Sequence, residues 1–150
     1  MKSAIPRSDP DYYPGIVANT VLGGGMAGRF FSDLRDKQGL AYTTGVIYPT
    51  RVDRAEAALG EQLARIRREP VSTEELRVAQ AYLLGNLAMD RRTNARQAWY
   101  LAGYEAAGVG HEFLDRYIAA VRSVSAADVR RVANLYLGTL RTVVVRPPKP

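Results

Sequence analysis

Cysteine is absent from the 150 residues, which excludes disulfides, zinc ribbons, iron–sulfur clusters and thiol catalysis. Histidine occurs once, as His111, so Ser-His-Asp catalysis would have to run through that residue. A catalytic zinc takes three protein ligands, mostly His, and this chain alone is not expected to supply them. Lysine is scarce: 18 of the 21 basic residues are Arg, and the Lys are Lys2, Lys37 and Lys149. No apolar run approaches the roughly 18 residues of a membrane span, and Met1 to Arg7 has no apolar signal-peptide core. The expectation is a soluble, cytoplasmic protein with no metal or other cofactor of its own and no membrane partner.

What is present is an ordinary globular composition, 47% hydrophobic and 24% charged, at a length that suits one domain over 1–150. The net charge of +6 is spread along the chain. Short pairs such as Arg67-Arg68, Arg91-Arg92 and Arg130-Arg131 fit solvated helix faces, so nucleic acid is not an expected partner.

The chain reads as α+β and helix-dominated. Residues 1–11 form an extended lead-in. Helical spacing of Tyr13, Ile16, Val17, Thr20 and Val21 predicts a helix over 12–22, broken by Gly23-Gly24-Gly25. A short helix over 26–37 follows, with Gly39 just past its end. The β-rich stretch 40–48 predicts a strand ended by Pro49. Helices are expected over 54–68, with Ala55, Ala58, Leu59, Leu63 and Ile66 inward, and from the Ser72/Glu75 capping-box pattern to about Asp90. Three more follow: one through Trp99 to about Ala107, one over 111–121, and one opened by Ser125 and closed by Gly138. Residues 139–145 predict a second, buried strand before Pro147. Helices packed on one face of a small antiparallel or mixed sheet are the expected architecture. Two strands give the helices little sheet to cover.

Two motifs match in letters and fail in context. Gly23-x-Gly25-x-x-Gly28 has the dinucleotide spacing but follows a helix rather than a strand, and Arg29-Phe30 replaces the Lys-Ser/Thr of a phosphate-binding loop. A nucleotide or nucleic-acid binder built on this stretch remains an alternative. His111-Glu112 begins like H-E-x-x-H, but Asp115 stands where the second His would be.

A third pattern is specific. Asn19 to Met26, Arg29-Phe30-Phe31 and Leu34 to Tyr42 resemble N-x-x-L-G-G-G-x-x-S-R-L-F followed by L-R-E-K-x-G-L-A-Y. These are motifs of the C-terminal, non-zinc half-domain of the insulinase/pitrilysin family of zinc metallopeptidases (inverzincins). Gly28 replaces Ser and Phe30 replaces Leu. Pro70 to Leu76 and Val124 to Val129 resemble the family's V-S-x-E-E-L and V-T-x-x-D-V, and the likeness runs from about Asp9 to Pro147. A family half-domain is longer, with a strand upstream of Asp9 and a strand pair after Gly45, so this chain reads as shortened.

The resemblance implies a division of labour. The other half carries H-x-x-E-H and holds the zinc, while this half contributes an Arg and a Tyr seven residues apart, Arg35 and Tyr42. Both are hydrogen-bond donors, and the implied role is to bind the substrate peptide backbone and stabilise the oxyanion opposite the zinc. Read without the resemblance, they are an Arg on a helix surface and a Tyr packed on a sheet. The implied partners are a zinc-bearing half or subunit, a peptide substrate and a second copy of the chain. The chain alone is expected to be inactive. The main alternative is a non-catalytic structural or assembly protein of the same fold.

Overall fold

The computed structural model describes residues 5–38 and 52–138, with side chains of the second stretch described from residue 56. Residues 7–11 are turns. Helix α1, Tyr12–Gly23, is followed by a 3₁₀ turn, Gly25–Ala27, and a π-helix, Phe31–Lys37. Five α-helices complete the described chain: α2, Val52–Arg68; α3, Thr73–Asp90; α4, Asn94–Ala106; α5, Phe113–Ser123; and α6, Ala126–Tyr136.

Helix α1 is apolar or small on nearly every side, the composition of a helix with neighbours all round. It packs against α3, α5 and α6, and more lightly against α2. Val17, Ala18, Val21 and Leu22 of α1 meet Ile66 of α2, Ala79 of α3, Val121 of α5, and Val129 and Ala133 of α6 in one core. Thr20 is buried in the same face; its hydroxyl donates to the Ile16 carbonyl at 2.8 Å and so brings no unmet polar group inside.

The expected α+β class is corrected by this packing. Among the described residues every regular element is helical and none is a strand. The apolar stripes expected to lie on a sheet close on one another around α1 instead. Periodicity tells which face of a helix is apolar, not what covers it. The two expected strands, 40–48 and 139–145, lie outside the described residues.

Helix starts follow local chemistry. The Ser72 hydroxyl accepts from the Glu75 N–H at 3.1 Å while the Glu75 carboxylate accepts from the Ser72 N–H at 2.9 Å. Ser125 and Asp128 form the same reciprocal pair at the start of α6. Helix α4 begins at Thr93, whose hydroxyl accepts from the Arg96 N–H at 3.3 Å. No described helix is long and apolar enough to cross a membrane.

Ile66 is fully buried where α2 meets the core. Ile66→Ala should cost about 2–5 kcal/mol, and Ser125→Ala about 1 kcal/mol. Urea unfolding followed by circular dichroism measures both.

Candidate functional site

The candidate site is built on the chain that leaves α1. Gly24 still bonds back to the Thr20 carbonyl at 2.7 Å, and Gly25 then takes φ +64, which reverses the path. Gly28 closes the turn: a Cβ there would lie 2.8 Å from the Gly24 nitrogen and 3.1 Å from the Leu22 carbonyl oxygen. This is the position where the family pattern has Ser, so the turn is wound tighter than a side chain permits.

Arg29 comes next and is almost wholly buried. Its guanidinium forks onto Glu75, with Nε to Oε1 at 2.7 Å and Nη2 to Oε2 at 3.2 Å. Glu75 is the carboxylate that closes the α3 capping box. Partial burial acts to raise its pKa, but Arg29 and the Ser72 N–H outweigh that and hold the carboxyl down to about 2.

The π-helix hangs from this anchor. The Gln38 N–H reaches back five residues to the Asp33 carbonyl at 3.1 Å. Such wide turns are rare and recur at functional sites. Asp33 Oδ2 accepts from Gln38 Nε2 and from Gln62 Nε2, each at 3.1 Å, which ties the segment to α2. Gln62 is buried on the inner face of α2 between Ala58 and Ile66.

Arg35 lies in the last turn of the π-helix, half-buried. Its guanidinium sits 4.6 Å from the centroid of the buried Phe31 ring and 3.9 Å from the Asp36 carboxylate. The ring face gives a planar cation a platform that restricts its directions. Tyr42, its expected companion, lies outside the described residues. Asp33, Gln62 and the Arg29–Glu75 pair were not foreseen as site-forming. Arg29 and Glu75 each stand inside a motif of the resemblance, but nothing in the spacing tells that the two motifs meet.

The glycine turn does not make a phosphate site. A cleft of about 220 Å³ beside it is lined by Glu74 and Glu75 together with Ser72 and Tyr82, and carboxylates repel phosphate. The element before it is helical, so the nucleotide alternative loses its structural context.

No group of three or more His, Cys, Asp or Glu that could hold a metal occurs among the described residues. His111 is exposed, with Nδ1 3.3 Å from one Glu105 carboxylate oxygen. The described part of the site therefore lays the Arg35 guanidinium on the Phe31 ring at the end of the π-helix.

The family model of the Peptidase M16 inactive domain matches residues 2–49, the stretch that holds both Arg35 and Tyr42. An uncharacterized zinc protease of Rickettsia bellii is 28% identical over 85% of this chain. One of Streptomyces coelicolor is 26% identical over 96% of it. The chain spans about a third of the length of these relatives, 35% of each. The crystal structure of a peptidase M16 inactive domain from Pseudomonas fluorescens superposes with a TM-score of 0.70 at 24% identity, over 87% of this chain and 35% of that one. The resemblance to the non-zinc half-domain of the insulinase/pitrilysin zinc metallopeptidases thus holds in sequence and in fold.

The Arg29–Glu75 pair generates a pH prediction. Because the folded Glu75 carboxyl sits near 2, below its ordinary 4.5, its stabilisation is present above pH 4.5 and is lost as pH falls toward 2. Arg29→Met should lower stability at pH 7 by about 3 kcal/mol and flatten the stability curve across that acid window. Urea unfolding as a function of pH checks both effects.

Proposed function

We propose that this chain is the substrate-holding, non-zinc half of a two-part zinc metallopeptidase. In this reading Arg35 and Tyr42 contact the carbonyl of the bond to be cleaved, and the metal belongs to a partner chain or half. The observation that carries the proposal is the family match over residues 2–49, which includes both donors.

Zinc, when bound on the partner, supplies the activation of water. What this chain contributes is binding and charge stabilisation. Arg35 carries a permanent positive charge, and a phenol such as Tyr42 adds a neutral donor. As a carbonyl oxygen gains negative charge, both donors strengthen their hold on it, so they favour the transition state over the bound substrate. Phe31 and the Asp33–Gln62 tie limit how far Arg35 must reorganise to do this.

The isolated chain should not hydrolyse peptides when zinc is added. With the zinc-bearing half present, Arg35→Ala and Tyr42→Phe should each cut turnover by about tenfold or more, with a smaller effect on KM. Steady-state hydrolysis of a quenched fluorescent peptide measures this. Robust chelator-sensitive cleavage by the isolated chain would overturn the reading, and unchanged turnover in a variant would remove that residue from the mechanism.

A further inference from the structure

The Arg35 segment leaves one built cleft unused. It holds about 350 Å³ and lies between the start of α1, the second half of α3, α4 and the start of α5. Helix α3 starts beside the glycine turn and ends at Asp90 on this cleft after 18 residues. At the helical rise that is about 27 Å, so the cleft is separate from the Arg35 segment.

Its walls are rings. Tyr100 and Tyr104 have centroids 5.8 Å apart, Tyr104 and Phe113 4.9 Å, and Phe113 and Tyr117 5.9 Å. Leu83 and Leu87 of α3 extend this lining, which suits a ligand with an apolar body. The polar groups among the rings are donors. Tyr104 is only 5% exposed, and neither its hydroxyl nor that of Tyr117 has a hydrogen-bond partner among the described residues. Burial pushes both phenols up, Tyr117 to about 12, so both keep their protons. A buried phenol with nothing to donate to is a cost that an acceptor on a ligand relieves.

The charge around these donors is positive. Asp90, the carboxylate on the cleft, is already matched: it accepts from the Tyr100 hydroxyl at 2.5 Å and pairs with Arg96, which lies over the Trp99 ring. Two other guanidiniums are not matched. Arg7 lines the cleft, and Arg91 follows Asp90 at the end of α3. Among the described residues neither has an ion pair or a side-chain hydrogen bond, and Nε of Arg91 is buried without a partner. The charges of Arg91 and Arg7 both act on the Tyr104 phenol, pulling against the effect of its burial. Uncompensated cations and an unused donor therefore converge at one ring. A singly charged acid suits them, since a dianion would bring its second charge toward Asp90.

We propose that this cleft binds a small organic acid, its carboxylate against Arg7, Arg91 and the Tyr104 hydroxyl and its apolar body on the rings. The proposal goes beyond the peptidase role and needs neither Arg35, Tyr42 nor a zinc-bearing partner. It is tested on the full chain by calorimetric titration with phenylacetate, with phenylacetamide as its neutral counterpart, and with inorganic phosphate as an anion without a body. Saturable binding of phenylacetate is expected, about tenfold weaker for the amide and for Tyr104→Phe, which keeps the ring and removes the donor. Arg7→Gln should weaken binding of the acid and leave that of the amide unchanged. Equal affinity for acid and amide, phosphate bound as tightly as the acid, or no saturable binding of the acid up to about 10 mM would overturn it. Should Tyr104→Phe fail to fold, the comparison of probes on the unaltered chain decides alone.

Discussion

The Arg29–Glu75 ion pair is the constraint on which the described structure turns. Arg29 is buried to within 7% of its surface, and a guanidinium that far from water needs a carboxylate beside it. Glu75 is already committed to the first turn of α3, so the partner cannot drift. The pair therefore fixes where the glycine turn ends relative to α3. Everything downstream as far as Gln38 takes its direction from that point. An apolar pair of the same volume could hold the helices equally firmly, but it would not specify one angle of exit from the turn. The forked geometry does, since both Nε and Nη2 must face both carboxylate oxygens.

A second constraint acts from the other side. Gln62 stands among apolar residues in the inner stripe of α2, and its buried amide donates from Nε2 to Asp33, while its Oε1 is buried with no partner among the described residues. The π-helix is thus held at its root by an ion pair and along its length by a neutral–charged hydrogen bond. Arg35 sits beyond both, over a buried phenylalanine. Such layering suits a donor whose value depends on being in place before charge develops.

The legible parts of this fold were the local ones. The Ser72/Glu75 and Ser125/Asp128 caps depend on residues three apart, and both form as their pattern predicts. Helices α2 to α6 fall close to where their apolar spacing puts them, and in α3, α4 and α6 a side-chain cap at the start agrees with that spacing. The fold class was misread for a long-range reason. A stripe such as Val129, Val132 and Ala133 looks the same whether a sheet or helix α1 lies over it. The resemblance placed Arg35 in its segment, but the partners that hold that segment come from 29 and 46 residues away. Side-chain types alone carry no trace of such pairings.

The scarcity of histidine and cysteine acquires a positive meaning beside these contacts. A domain with metal donors must keep them neutral or deprotonated and converging on a point. This one spends its polar residues on orienting cations instead. Arg29 is forked onto a carboxylate, Arg35 is laid on Phe31, and Arg96 is laid on Trp99 and Tyr100. Arginine is suited to all three tasks because its planar charge both stacks and forks, which an ammonium does not. The dominance of Arg over Lys is therefore used structurally at these positions, whatever sets it elsewhere. Replacing any of the three by Lys would keep the charge and remove the plane, and it is the plane that aims the donor.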